Sequence, residues 1–137
     1  MAKKIKAYVD TAALISFLDG SDTYHNQFAQ LFLSPPELIT SPLVIAEGHG
    51  WFLRRYDQQR AIQFLNFIDA LACLNILPVG EAELKLASKE IRRFADQKLT
   101  LVDAVGLVLM DKNKVNVCWS TDRHMTLTGK PLVIHQI

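Results

Sequence analysis

Short apolar runs alternate with stretches of helical periodicity along the chain. The run IKAYV at residues 5–9 is rich in β-branched and aromatic side chains and predicts a strand. The pattern TAALISFLD, closed by the breaker Gly20, predicts the helix that follows. The same criteria predict further strands over Leu38–Thr40, within NILPV, over Val115–Ser120 and near LVIH.

Helical periodicity fills the segments between these strands. Ser41 suits a helix cap and Pro42 suits the first helical position, so the segment LVIAEGHGWFLRRY is predicted to be a helix. Other helices are predicted over 24–33, 58–74, 80–97 and 101–110. Strands separated by helices need right-handed crossovers, which cover both faces of a parallel sheet. The predicted fold class is therefore α/β, a three-layer α/β/α domain.

Composition and charge narrow the functional classes. With 137 residues, of which 50% are hydrophobic and 21% charged, the chain predicts one globular domain over 1–137 and excludes disordered and fibrous classes. Fifteen Lys and Arg against 14 Asp and Glu give a formal net charge of +1. The large basic excess of many nucleic-acid-binding proteins is missing, so any such site must be local.

The amino-terminal segment MAKKIKAYVD has the basic head of a signal peptide, but Asp10 interrupts its apolar stretch. We therefore interpret it as the first strand. No window reaches the roughly 18 uncharged apolar residues of a membrane span. Cys73 and Cys118 lie inside apolar runs and are interpreted as structural thiols. These features predict a cytoplasmic protein that does not enter a membrane.

Three aspartates are predicted to lie where the chain leaves the sheet. Asp10 closes the first strand, Asp122 follows the strand that ends at Ser120, and Asp103 lies in the first turn of the helix that Thr100 opens. Sites in open parallel sheets form beyond the carboxyl ends of the strands, so we expect these aspartates to converge. Each also suits a helix start, where carboxylates cap free amides, and for any one of them capping is the simpler interpretation.

Glu47 does not fit a capping role, because it lies about a turn and a half into its predicted helix. Its alternative is an exposed or ion-paired glutamate. Clustered carboxylates repel one another unless a cation neutralises them, and their hard oxygen atoms suit Mg²⁺ or Mn²⁺. A cluster of Asp10, Glu47, Asp103 and Asp122 therefore predicts a metal site.

Other chemistry-bearing residues have structural interpretations of at least equal weight. The histidines are scattered over different elements, which argues against zinc; they are His25, His49, His124 and His135. Trp51 and Trp119 are assigned to core packing rather than to base stacking. Two cationic groups are candidate RNA-binding patches or ordinary solvated helix faces. They are Arg54, Arg55 and Arg60, and Lys89, Arg92, Arg93 and Lys98.

Four segments, taken in chain order, resemble the acidic motifs of the PIN domain family: YVDTAALISFLDG, SPLVIAEGHGW, LTLVDAVGLVLM and CWSTDRHM. The resemblance extends from about Ile5 to His135, and it is strongest to the VapC-like toxins of bacterial toxin–antitoxin pairs. It implies a Rossmann-like sheet of about five parallel strands. It also implies a ribonuclease that depends on Mg²⁺ or Mn²⁺ and leaves 5′-phosphate and 3′-hydroxyl ends.

The resemblance also assigns roles to individual residues. Asp10, Glu47, Asp103 and Asp122 match the metal-binding positions of the family. Ser120 matches a threonine or serine whose hydroxyl orients a water molecule or an acidic ligand. The toxin branch further implies an RNA substrate, a cognate antitoxin whose tail occupies the acidic groove, and a homodimer.

One position departs from the pattern of some members, because His124 and Met125 stand where these carry a further acid and an aromatic residue. No fifth carboxylate is predicted, which argues against a second metal. A haloacid-type phosphatase is disfavoured, since its second acid would fall at Ala12. The alternative function is a catalytically silent PIN-like module that binds a partner protein, which the complete acidic set disfavours.

Overall fold

A four-stranded parallel sheet lies at the centre of the structure, a computed structural model that describes residues 5–136. Its strands are β1 (Lys6–Val9), β2 (Glu37–Thr40), β3 (Leu74–Ile76) and β4 (Val117–Trp119). They lie side by side in the order β3-β2-β1-β4. Lys3 and Lys4, the basic head considered above, lie outside the described residues, as do both ends of the predicted 1–137 domain.

Paired helices occupy the three connections between the strands. They are α1 (Thr11–Leu18) and α2 (His25–Leu31), α3 (Pro42–Arg55) and α4 (Gln58–Ala70), and α5 (Glu81–Arg93) and α6 (Leu101–Lys112). As predicted, Pro42 opens α3 and the Ser41 hydroxyl accepts a hydrogen bond from the amide of Val44 at 3.2 Å. No helix within residues 5–136 has the length and apolar character needed to cross a bilayer.

The strand order separates the helices into two layers. From β1 to β2 and from β2 to β3 the chain moves in one direction across the sheet, and from β3 to β4 it returns. With right-handed crossovers, α1 to α4 therefore cover one face, and α5 and α6 cover the other. The contacts of α3 with α1 and α4, and of α5 with α6, agree with this division. The predicted three-layer α/β/α class is confirmed.

The core lies between the sheet and the two helical layers, and it explains why a glycine stands at position 48 inside α3. A Cβ atom at Gly48 would lie 2.4 Å from Cζ of Phe64 on α4. Glycine is therefore required where α3 and α4 approach each other, and its unfavourable helix propensity is offset by the burial of Phe64, which is 1% exposed.

The predicted last strand near LVIH is wrong, and the sheet has four strands rather than about five. Leu132 forms only an isolated parallel bridge with Cys118, and the Cys118 amide donates to the Pro131 carbonyl at 2.9 Å. The chain then turns into a 3-10 helix at Val133–His135, closed by the His135 amide on the Leu132 carbonyl. The apolar run therefore packs Leu132 and Val133 into the core without extending the ladder.

Candidate active site

The candidate site lies at the carboxyl ends of β1 and β4, where the strand order reverses. The helices after β1 cover one face of the sheet and the helix before β4 covers the other, which leaves a crevice between the two strand ends. The pairing of Val9 with Trp119 continues for one more bond, because the Asp10 amide donates to the Trp119 carbonyl at 3.0 Å. Asp10 and Ser120 consequently leave the sheet side by side.

The carboxylate of Asp10 lies at the bottom of this crevice and is 4% exposed. It accepts a hydrogen bond from the Ser120 hydroxyl at 2.8 Å, and within the described residues it makes no capping bond to α1. Capping is therefore the wrong interpretation for Asp10. Burial raises its pKa to about 7, the Ser120 hydrogen bond opposes that rise, and the negative charge of Asp103 adds to it.

Asp103 and Asp122 bring two more carboxylates to the crevice. Thr100 caps α6 by accepting a hydrogen bond from the Asp103 amide at 3.1 Å, which leaves the Asp103 side chain facing the crevice from the first helical turn. Burial raises the pKa of Asp103, and the charges of Asp122 and Glu47 raise it further against an opposing Thr100 hydrogen bond. Asp122 is half-buried and caps a 3-10 helix (Arg123–Thr126) through the His124 amide at 2.9 Å.

Ser120 connects two of these acids. Its hydroxyl donates to Asp10 and accepts from the Asp122 amide at 3.0 Å, so one side chain fixes the Asp10 carboxylate and the Asp122 backbone relative to β4. Because Ser120 is fully buried, solvent does not compete for either bond. The position predicted to support the acids therefore holds their geometry directly.

The four predicted acids line one groove of about 270 Å³, which we call the acidic groove. Glu47 reaches it from α3 as an exposed side chain, and Trp51 lies one turn further along the same helix. The complete lining is Asp10, Thr11, Ala12, Ile15, Glu47, Trp51, Thr100, Asp103 and Asp122. The structure therefore brings the three predicted aspartates and Glu47 together in one groove.

His124 lies beside the acids of the site, although the sequence analysis did not select it. Its Nδ1 atom lies 3.2 Å from an Asp122 carboxylate oxygen and 3.9 Å from one of Asp103. Scattering along the sequence was therefore a poor guide, because the 3-10 helix after Asp122 turns the ring back over the acids. The spacing of two residues from Asp122 was the available signal.

The donor atoms around the groove fit a divalent cation. Ligand atoms of Asp103, Asp122 and His124 all lie within 4.8 Å of one another. Thr11 also lines the groove, is 4% exposed, and its hydroxyl has no hydrogen-bond partner within residues 5–136. No lysine or arginine among the described residues lines the groove. Uncompensated carboxylates and a buried unpartnered hydroxyl fit a small, hard cation such as Mg²⁺ or Mn²⁺.

The candidate cationic patches do not line the acidic groove. Arg60 is held by packing, since its guanidinium lies 4.3 Å from the Tyr56 ring centroid and donates to the Leu18 carbonyl at 3.3 Å. Lys89 and Arg93 line a separate pocket between α5 and α6. None of the seven patch residues, all of which lie within the described part of the chain, lines the groove.

The tryptophans and cysteines have the structural roles predicted for them, and Trp51 in addition lines the acidic groove. Trp119 is 2% exposed and packs edge-on against Phe32, which confirms its core role. Trp51 is half-buried and packs against the core, yet it also lines the acidic groove. Cys73 and Cys118 are free thiols, and burial raises the pKa of the Cys118 thiol.

Known proteins share this architecture. The chain is 24% identical over 125 residues to Ribonuclease VapC26 of Mycobacterium tuberculosis, which covers 90% of this chain and 92% of that protein. Among solved structures, it is similar to the crystal structure of M. tuberculosis VapC20, described as a sarcin-ricin loop cleaving toxin. That likeness has a TM-score of 0.83 and 20% identity, and covers 90% of this chain and 95% of the other.

A toxin–antitoxin complex from Klebsiella pneumoniae is also similar, with a TM-score of 0.64 and 19% identity over 92% of this chain and 95% of that chain. At such identities the structures establish the fold alone. Family membership rests on a separate match, in which the PIN domain covers residues 7–130. That span contains all four acids and Ser120 and takes in most of the sequence, and the chain therefore belongs to the PIN domain family.

Proposed function

We propose that the protein is a divalent-cation-dependent ribonuclease that hydrolyses RNA phosphodiester bonds and acts as the toxin of a toxin–antitoxin pair. The observation that carries the proposal is the convergence of four carboxylates in a groove that no lysine or arginine of the described chain neutralises. Similarity to Ribonuclease VapC26 supports RNA as the substrate. The required cation is Mg²⁺ or Mn²⁺, which the oxygen donors favour.

Each side chain has a distinct part in this proposal. Asp10 and Asp103 are the principal cation ligands, because they are the most buried acids of the groove. Asp122 and Glu47 complete the coordination directly or through water. Ser120 holds Asp10 and the backbone of Asp122 in place, so the ligand geometry exists before substrate binds.

Hydrolysis needs a water molecule that attacks phosphorus while the 3′-oxygen leaves, which gives 5′-phosphate and 3′-hydroxyl ends. A bound divalent cation would supply positive charge for the phosphate oxygens and would lower the pKa of the attacking water. One carboxylate of the groove accepts the proton of that water.

The alternative function is a silent PIN-like module that only binds a partner protein. A protein with no catalytic role has no need to bury Asp10 beside Asp103, an arrangement that costs stability by raising both pKa values. The geometry therefore favours the nuclease.

The test is cleavage of single-stranded RNA by purified protein with Mg²⁺, with Mn²⁺ and with EDTA. We expect cleavage only with a divalent cation, and loss of cleavage on Asp103→Asn with an unchanged circular dichroism spectrum. Lys85→Gln is the matched control, because Lys85 is an exposed partner of Glu81 on α5 and does not line the groove. Equal rates for wild type and Asp103→Asn would identify a contaminating nuclease and refute the proposal.

The toxin role has its own measurements. We expect a small antitoxin encoded next to this gene to copurify with the protein and to inhibit cleavage, with its tail in the acidic groove. We also expect a homodimer in sedimentation experiments. A protein that arrests growth only when the neighbouring gene is deleted would support the pair, whereas growth arrest unaffected by that gene would contradict it.

A further inference from the structure

A second pocket adjoins the acidic groove and has different chemistry. This flanking pocket has a volume of about 670 Å³, within the range of ligand-binding cavities. The residues that matter for its chemistry are Gln97, Asp122, Arg123, His124, Thr126 and His135. Asp122 lines both cavities, so any ligand that fills the flanking pocket touches the wall of the acidic groove.

The two cavities have opposite electrostatic character. The acidic groove is lined by four carboxylates, whereas Asp122 is the sole carboxylate among the described residues that line the flanking pocket. The pocket adds the guanidinium of Arg123, two imidazole rings and the amide of Gln97. Arginine binds phosphate through a planar fork of donors, and amide and imidazole groups form hydrogen bonds with base edges and ribose hydroxyls.

The segment before α6 connects the two cavities. Gln97 lines the flanking pocket and Thr100 lines the acidic groove, so three residues carry the chain from one to the other. Between them Lys98 adopts φ 52°, in the left-handed region that is unfavourable for a non-glycine residue. This turn places Gln97 in the wall of the flanking pocket and Thr100 in the wall of the acidic groove.

Other concave surfaces fit a nucleotide beside the scissile bond less well. The pocket between α5 and α6 mixes Lys89 and Arg93 with Glu90 and Asp111, and it shares no lining residue with the acidic groove. The face formed by α3, α4 and β3 is almost wholly apolar, with His49 as its polar member among the lining residues described. Neither combines donors with continuity to the acids.

We propose that the flanking pocket binds the nucleotide next to the scissile phosphate of RNA. The Arg123 guanidinium contacts the neighbouring phosphate, and Gln97 and His135 contact the base or ribose. The ring of His124 lies between the pocket and the carboxylates of Asp103 and Asp122. It therefore separates this nucleotide from the reacting one. The assignment rests on the proposed function, since it names how the same substrate is held.

RNA affinity, measured without cleavage, tests the assignment. Fluorescence anisotropy of a labelled single-stranded RNA is recorded over a range of KCl concentrations on the Asp103→Asn protein with Mg²⁺. Adding Arg123→Gln should weaken binding about tenfold and reduce the slope of log affinity against log salt by about 0.7, the value for one phosphate contact on a single strand. Arg123→Lys should restore the slope, because it keeps the charge, with only part of the affinity.

Lys85→Gln removes the same charge from a surface position that lines neither cavity. It should leave affinity and slope unchanged. Equal losses for Arg123→Gln and Lys85→Gln, or no loss for either, would overturn the assignment. Because these titrations need no turnover, a wild-type protein that fails to cleave RNA contradicts the proposed function, while the two variants still decide whether the pocket binds RNA.

Discussion

Helix α1 has a buried aspartate at each end, and the two are treated in opposite ways. Asp10, before the first turn, is 4% exposed, and Asp19, after the last turn, is 6% exposed. Eight helical residues separate them, so they lie roughly 12 Å apart. The same residue type, with nearly the same exposed fraction, therefore has two different environments at the two ends of one helix.

Asp19 has all the partners that Asp10 lacks. Its carboxylate accepts hydrogen bonds from the Ser21 amide at 3.1 Å, the Ser21 hydroxyl at 2.7 Å and the Tyr56 hydroxyl at 2.9 Å. Burial raises the pKa of Asp19, but these bonds and the charge of Arg60 outweigh burial and lower it. Asp10 has the Ser120 bond and other carboxylates around it, and its pKa rises to about 7.

The difference distinguishes a structural carboxylate from a functional one. The protein contacts of Asp19 stabilise its ionised form, and they tie the end of α1 to α3 and α4. Ionised Asp10 is left without a cationic partner among the described residues that line its groove, and either protonation or an added cation removes that cost. The exposed fraction alone separates these two aspartates poorly, whereas the depth of each carboxylate in the protein and the donors and charges around it separate them well.

The largest predicted effect comes from Asp10→Asn, which removes the charge but keeps the size of the side chain. We expect the cleavage rate to fall about 1,000-fold or more, because the ligand charge at the bottom of the groove is lost. We expect no loss of stability in EDTA at pH 8, because a costly buried charge is lost as well. Cleavage assays and urea denaturation measure the two quantities. A folded variant that retains more than a tenth of the wild-type rate would remove Asp10 from the mechanism.

Stability against pH gives the next largest effect. The pKa of Asp10 is 3.8 when unfolded and about 7 when folded, so the native state binds this proton more tightly. Its stabilising contribution is complete below about pH 4 and is lost as pH rises through 7, by on the order of 4 kcal/mol. The difference in unfolding free energy between wild type and Asp10→Asn, measured in EDTA from pH 4 to 8, isolates this contribution. A pH-independent difference would contradict the raised pKa.

Asp19→Asn should give the converse of Asp10→Asn. Loss of the charge weakens the bonds from Ser21 and Tyr56 and leaves Arg60 without its carboxylate, so we expect about 2 kcal/mol less unfolding free energy at pH 7. Because its folded pKa is lowered, this contribution is present above the unfolded pKa and is lost as pH falls through the folded pKa. The cleavage rate should stay within about twofold where the variant is folded. A rate loss as large as that of Asp10→Asn would place Asp19 in the site.

The smallest effects come from removing one hydroxyl donor at each aspartate. Tyr56→Phe should cost about 1 kcal/mol of unfolding free energy with little change in cleavage, since its hydroxyl bonds Asp19. Ser120→Ala should lower cleavage about tenfold, since its hydroxyl positions Asp10, and Ser120→Thr should retain most activity. Urea denaturation and initial rates on the same preparations test both. Equal rate losses in Tyr56→Phe and Ser120→Ala would abolish the distinction between the two aspartates.

Local pattern was enough to predict most of the fold and to select the four carboxylates that the structure brings to one groove. Apolar periodicity identified the order of strands and helices, and the capping signature of Ser41 and Pro42 located α3. Asp10 and Asp122 were found because parallel strands bring their carboxyl ends to one edge. These predictions succeeded because each depends on neighbours a few residues away or on a general rule of sheet topology.

Tertiary contacts decided the rest. The run LVIH has the composition of a strand, but β4 offers it a single bridge, and core packing of Leu132 and Val133 takes the place of a ladder. His124 joined the acids because a 3-10 helix turned it toward Asp103, twenty-one residues away in sequence. The sequence by itself determined which acids could meet. Ser21 bonds Asp19 locally, but the tertiary structure decided that Tyr56 would complete that bonding and that Asp10 would meet no cation among the described residues that line its groove, because Tyr56 and the carboxylates around Asp10 come from elements distant in sequence.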